Sequence, residues 1–241
     1  MLKSYAPLLI FLTIACQQPN EIHEEAVPFI PELVDGRYNV AFLIMDGTFN
    51  TEFTAPFDIF QHTIYREGIK SMNVFTVAAS LDAITTFEGV RILPDFSYLD
   101  KSLPKIDILV VPSAEHHLDT DLENEELISF VKNTADNALY VTSHCDGAFV
   151  LAKSGILDDI ESTTFPGDID KYKATFPHLT VHKDVFFVHD GRFITSAGGA
   201  RSFEAALYLT EVLYGKEIAQ SIAGGLVIDW DLETVPHIII E

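Results

Sequence analysis

One thiol stands out by its position. The apolar run Ala138-Leu139-Tyr140-Val141-Thr142 breaks abruptly into Ser143-His144-Cys145-Asp146-Gly147-Ala148, where a helical pattern begins. A strand-to-helix turn of this kind lifts a nucleophile above a parallel sheet and aims the N–H groups of the following helix at it. A helix N-terminus there favours the thiolate, which is the reactive form of cysteine. The plainer alternative is a space-filling thiol, since cysteine is among the most buried residue types. Two other segments carry complementary residues. The first, Asp46-Gly47-Thr48-Phe49-Asn50-Thr51-Glu52, ends an apolar run and supplies Glu52. Beside a thiolate this carboxyl acts as a hydrogen-bond donor when protonated or as a general base; otherwise it is an acid complementing a helix start. The second, Val110-Val111-Pro112-Ser113-Ala114, ends another run, and the backbone amides of Ser113 and Ala114 are placed to face a developing oxyanion.

The histidines and the acid next to the thiol need separate treatment. His144 directly precedes Cys145, and successive strand residues point to opposite faces, so His144 reads as sideways packing rather than as a partner. His116, on the loop after Ala114, is the better-placed partner, with a solvated loop histidine as its plainer role. His116, His117 and Asp119 form a metal-type set by residue, but their spacing matches no strong ligand motif, and neither a metal nor another cofactor is expected. Asp146, as the first helical residue, reads as a helix cap. Turned toward Cys145 instead, its charge would raise the thiol pKa and oppose the effect of the helix.

The elements that must position these groups alternate between strands and helices. Tyr38 to Met45, Asn73 to Ala79 and Ile106 to Val111 are nearly continuous apolar runs, as strands buried on both faces should be. Helical spacing covers about Ala55 to Arg66, Leu122 to Asn133, the segment after Gly147 as far as Gly155, and Phe203 to Tyr214 with Gly215 as its stop. Short hairpins are expected around Glu88-Gly89 and around Asp190-Gly191. The alternation predicts an α/β fold with a mostly parallel central sheet and helices on both faces, and ligands in such sheets bind at the carboxyl ends of the strands.

With 241 residues and 48% hydrophobic content, the chain can bury a full core as one domain. Fifteen Lys and Arg against 36 Asp and Glu leave a formal net charge of −21, which repels phosphate backbones and argues against a nucleic-acid partner. Lys3, the apolar stretch from Tyr5 to Ala15 and then Cys16 have the form of a secretory signal, too short to span a bilayer as a mature helix. Leu12-Thr13-Ile14-Ala15-Cys16 resembles a bacterial lipobox, although Thr13 stands where that motif most often has leucine. Residues 1–15 are therefore expected to be a lipoprotein-type signal peptide, Cys16 the lipidated residue, 16–36 a polar tether and 37–241 the domain. The expected location is the bacterial cell envelope, lipid-anchored, with plain secretion as the alternative. Cys145 is then the only thiol left in the mature domain.

Taken together the motifs resemble the ThiJ/PfpI superfamily, the class I glutamine amidotransferase-like fold, from Asn39 to about Trp230. The resemblance is carried by Val40 to Gly47 with Glu52 to Asp58, by Asp107 to Pro112, by Thr142 to Leu157, by Thr163-Thr164-Phe165, by Thr195 to Gly199 and by Ala223 to Trp230. It implies a flavodoxin-like three-layer sandwich, commonly dimeric, with Cys145 as elbow nucleophile and Glu52 as the carboxyl group that hydrogen-bonds its thiolate. The chain departs from the pattern at two points. Many members carry a histidine partner where this chain has Phe165, and Gly-Gly where it has Ser113-Ala114. The first departure removes the matching Cys–His pair of a protease or amidase. The expected function is a cysteine-dependent hydratase, lyase or amidase-like enzyme acting on a small electrophile. Cys145 attacks, Glu52 shuttles a proton, and amides near Ser113, Ala114 and Asp146 hold charge. The alternative is a binding or redox-sensing protein in which Cys145 is oxidised.

Overall fold

The computed structural model of the chain describes residues 31–240. The signal segment, Cys16 and most of the tether expected over 16–36 lie outside them. Within them, Val34 is already fastened to the domain: its N–H donates to Asn73 Oδ1 at 3.1 Å and its carbonyl accepts from Asn73 Nδ2 at 3.0 Å.

The apolar runs become strands. β1 (Tyr38–Leu43) and β2 (Met72–Ala78) are followed by a separate antiparallel pair, β3 (Ile84–Thr85) and β4 (Arg91–Ile92). Then come β5 (Phe96–Ser97), β6 (Ile108–Val111), β7 (Tyr140–His144), β8 (Phe187–Asp190), β9 (Phe193–Ser196) and β10 (His237–Ile240). The large sheet has the order β10-β8-β9-β7-β6-β1-β2-β5, and every neighbouring pair is parallel except β8 with β9. That exception is the hairpin at Asp190-Gly191, where Gly191 takes φ +59, a left-handed conformation that glycine adopts without penalty.

Among the described residues six α-helices cover the sheet: α1 (Asn50–Gln61), α2 (Glu125–Ala135), α3 (Gly147–Lys153), α4 (Ile169–Thr175), α5 (Ser202–Tyr214) and α6 (Lys216–Gly225). The strands alternate between two cores. Val40 and Phe42 pack with Ile59 and Phe60 of α1, Leu207 of α5 and Ile222 of α6; Ala41 and Leu43 pack with Leu127 and Val131 of α2, Phe149 of α3 and Tyr172 of α4. Since each face of the sheet is apolar and each is covered, the chain has the mostly parallel sheet between two helical layers that its alternating pattern predicts, in the flavodoxin-like sandwich that the resemblance implies.

Several boundaries differ from the sequence expectation. Helix α1 starts at Asn50 rather than near Ala55 and runs through Pro56, whose ring nitrogen cannot donate to the Glu52 carbonyl one turn back. Glu52 therefore sits within the first turn of the helix and not on the loop before it. Helices α4 and α6 and strands β5 and β10 have no counterpart in the sequence reading. The seven residues of α4 bury only Ile169 and Tyr172, too little apolar signal for a period to emerge.

The strand order places the chemistry. Strand β1 lies between β2 and β6, so consecutive crossovers leave it in opposite directions and open a crevice at the carboxyl ends of the central strands. The neighbouring strands β1, β6, β7 and β9 are followed respectively by Glu52, Ser113, Cys145 and Gly198, bringing residues from across the sequence to one rim.

Candidate active site

Cys145 sits at the end of β7 with φ +55, an uncommon conformation for a residue with a Cβ and the signature of a strained turn. Two glycines hold it. A Cβ on Gly147 would lie 2.1 Å from the Val111 carbonyl oxygen, so α3 starts in direct contact with the end of β6. A Cβ on Gly198 would lie 2.3 Å from that of Cys145, so the loop after β9 closes against the thiol residue itself. The Cys145 N–H donates to the Ser196 carbonyl at 3.0 Å, and the Thr164 hydroxyl donates to the Cys145 carbonyl at 3.0 Å. The elbow is thus clamped from β6, from β9 and from the segment that precedes α4.

The sulfur is buried, with the residue only 7% exposed, and its surroundings are acidic. Cys145 Sγ lies 3.7 Å from Asp146 Oδ2, and the Thr164 hydroxyl shares its one proton between the Cys145 carbonyl and Asp146 Oδ1, 3.1 Å away. Burial pushes the Cys145 thiol well above its ordinary pKa, and the charges of Asp146 and Glu52 push it further. The Asp146 backbone N–H and the Ser113 hydroxyl pull the other way. Their effect and that of the short helix α3 are outweighed: a helix terminus contributes ~0.3–1 kcal/mol, whereas full burial moves a pKa by up to about 3–5 units. Cys145 therefore rests as a protonated thiol. Asp146 is pushed up to about 6, first by burial and then by the nearby charge of Asp168, so it carries a proton for part of its time near neutral pH.

Several expectations are corrected. Asp146 is the N-cap residue of α3 but makes no side-chain cap hydrogen bond; Thr164 turns its carboxyl toward the sulfur instead. Glu52, also 7% exposed, makes no hydrogen bond to Cys145: its Oε1 accepts the Gly199 N–H at 2.9 Å, because the Gly198-Gly199 loop lies between them and offers that amide. The Ala114 amide is not open to an oxyanion, since it donates to His117 Nδ1 at 3.2 Å. Ser113 is fully buried, its carbonyl accepts the Phe49 N–H at 3.0 Å, and its Oγ has no hydrogen-bond partner.

The histidines stay out of the chemistry. His144 points to Ser196 on β9, with 3.0 Å from Nδ1 to Oγ, and burial lowers its pKa to about 3, so it is neutral. His117 is buried and neutral for the same reason; its Nδ1 accepts from Ala114, which places its proton on Nε2, facing Asp121 Oδ2 at 3.8 Å. His116 is exposed and meets Asp119, at 3.3 Å, on the surface. His116, His117 and Asp119 therefore do not converge, and no group of three metal-ligating side chains gathers among the described residues. Phe165, 43% exposed, leaves its ring over Gly167 at the rim.

Thr164, Asp168 and Gly198 were not identified as site residues from sequence. Thr164 lies inside the Thr163-Thr164-Phe165 motif, which drew notice only for its missing histidine. Gly198 lies inside the Thr195 to Gly199 motif, which carried the resemblance without a role for this glycine, and nothing local to Asp168 marks it, because it acts through a contact made by the fold.

Comparison with known proteins agrees with this architecture. The model of the DJ-1/PfpI family matches residues 38–212. Over 183 residues, the chain is 27% identical to the isonitrile hydratase of Pseudomonas putida, covering 76% of this chain and 75% of that protein. It is also 27% identical over 191 residues to protein dj-1beta of Drosophila melanogaster, covering 78% and 96%. The crystal structure of a ThiJ/PfpI family protein from Pseudomonas syringae superposes with a TM-score of 0.71 at 22% identity, covering 90% of this chain and 84% of that one.

The raised pKa of Asp146 has a consequence for stability. Folding shifts it from 3.8 to about 6, so the folded state binds the proton more tightly. Stability from this group is full below about pH 4 and is lost as pH rises through 6. Asp146→Asn carries no such penalty. The stability of the variant relative to wild type is expected to grow by about 2–3 kcal/mol between pH 4 and pH 7, read by urea denaturation at each pH. A difference that does not change with pH contradicts the assignment.

Proposed function

Because the chain belongs to the DJ-1/PfpI family, we propose that it is a cysteine-dependent hydratase acting on a small, neutral electrophile of the isocyanide type. One observation carries this reading: a protonated thiol on a strained elbow, with the buried Asp146 carboxyl against its sulfur and no histidine in reach. A Cys–His pair generates a standing thiolate, whereas a Cys–carboxyl pair must move the proton as the bond forms. A buried carboxylate whose pKa lies near the working pH is suited to that transfer. Glu52, Asp146 and Asp168 make the site hostile to anionic substrates.

The chemistry balances without an added reagent. The sulfur bonds to the isocyano carbon while its proton passes through Asp146 to that same carbon, leaving a sulfur-bound imidate. Water then adds its oxygen to the carbon and a proton to the nitrogen. The C–S bond breaks, the hydroxyl proton returns to sulfur, and an N-substituted formamide leaves. The similarity to an isonitrile hydratase supports the substrate class. The buried, proton-bearing sulfur weighs against the alternative of a peroxide sensor, because oxidation proceeds through the thiolate.

The same proposal puts the protein on the cell envelope through a lipid on Cys16, supported by Leu12 to Cys16 alone. Cys16→Ala is expected to move the protein from the membrane fraction to the soluble fraction; unchanged fractionation contradicts the anchor.

Turnover tests the chemistry. Across a panel of alkyl isocyanides, glyoxals and amides, wild type should convert an isocyanide to its formamide and Cys145→Ala should fall to background. Asp146→Asn should lower kcat by about 10²-fold or more. In wild type, kcat/KM should rise as pH climbs through about 6, since only the ionised carboxylate accepts the thiol proton. Turnover that survives in Cys145→Ala contradicts the proposal. So does an absence of turnover together with peroxide-driven mass gain on Cys145, which favours the sensor.

A further inference from the structure

The charge that appears on sulfur when Cys145 gives up its proton needs a donor, and the donors in reach are few. The Ala114 amide at the end of β6 is taken by His117. That interaction, the pairing of Thr48 with Ala114 and the Phe49 N–H donated to the Ser113 carbonyl at 3.0 Å fix the backbone of this loop. What the fixed loop presents is the Ser113 side chain. In the parallel register of β6 and β7 the last pair is Val111 with Ser143, and each chain leaves the sheet from that point, to Ser113 on one side and to Cys145 on the other, two residues further on. Gly147 brings the two segments into contact: a Cβ there would meet the carbonyl oxygens of Val111 and Pro112 at 2.1 and 3.1 Å. Ser113 is fully buried, and its Oγ is left without a hydrogen-bond partner. A buried hydroxyl with no partner carries a desolvation cost that a fold tolerates where the group has work in another state.

We propose that the Ser113 hydroxyl joins the Asp146 N–H as a hydrogen-bond donor to the Cys145 sulfur as the thiol proton leaves for the Asp146 carboxyl, and that the His117–Ala114 interaction holds it in place. The inference rests on the hydratase reading for its purpose, but not for its test. Ser113 keeps its own proton throughout; only the S–H proton moves. The hydroxyl makes no hydrogen bond in the resting site but lies near enough to the sulfur to favour the thiolate against the two carboxylates.

Alkylation of Cys145 by iodoacetamide, followed on the peptide that contains it, reads the thiolate fraction at a fixed pH below the thiol pKa. In Ser113→Ala the rate is expected to fall about tenfold, the loss of one hydrogen bond to a charged group. Ser113→Thr, which keeps the hydroxyl, is expected to stay close to wild type. Thr142→Val removes another buried, unpartnered hydroxyl and should leave the rate unchanged. If Ser113→Ala does not fold, Ser113→Gly takes its place in the same series. A Ser113→Ala rate equal to wild type overturns the inference, as does an equal fall in Thr142→Val. Both results leave Cys145-dependent turnover untouched, and a protein that turns over nothing leaves the alkylation series readable.

Discussion

Water is kept away from the Cys145 sulfur, and that burial governs the charge of the sulfur, of Asp146 and of the two nearby buried histidines. Buried beside Asp146 and within the field of Glu52, the sulfur holds its proton. Asp146 shares the burial and is itself pushed to about 6, so thiol and carboxyl compete for protons under the same constraint. His144 and His117 are buried too and stay neutral. The sulfur of such a site stores no charge at rest. It creates charge only when an electrophile arrives to accept the sulfur's electrons, which is the condition under which fixed donors act most effectively.

The constraint is met by sheet geometry rather than by any one loop. The strands that end at this rim belong to neighbours in the sheet, and three glycine-dependent contacts bring their ends together. Gly147 lets β6 touch the start of α3, Gly198 lets the loop after β9 touch the elbow, and Gly47, at φ +78, lets the loop after β1 lie against Glu115. Each contact leaves no space for a methyl group. The strained backbone of Cys145 persists because residues on both sides over-determine it.

The elbow was legible in the sequence because the apolar run before Ser143 stops at a polar, glycine-containing turn and resumes with helical spacing, the pattern of a strand feeding a helix. The central strands were legible because strands buried on both faces read as continuous apolar runs. What escaped depended on contacts between distant segments. Thr164 acts on Asp146 only because the segment before α4 folds back over β7, and the rotation of the Asp146 carboxyl away from its own helix follows from that contact. The capture of the Ala114 amide by His117 likewise depends on a buried ring orientation that spacing does not encode. Helix α6 escaped because Gly215, read as the end of one helix, is also the start of the next. For its part, Glu52 was legible as a site residue by position, while its bond to Gly199 rather than to sulfur required the fold.

The chemistry turns on a proton that stays on Cys145 at rest and leaves for Asp146 in reaction. The most direct measurement is the ultraviolet absorbance of the Cys145 thiolate, taken as the difference between wild type and Cys145→Ala across pH. No Cys145 thiolate should appear at neutral pH, its midpoint should lie well above the ordinary thiol value of about 8.5, and Asp146→Asn should move that midpoint down. A wild-type midpoint at or below about 8.5, with thiolate standing at neutral pH, would contradict it.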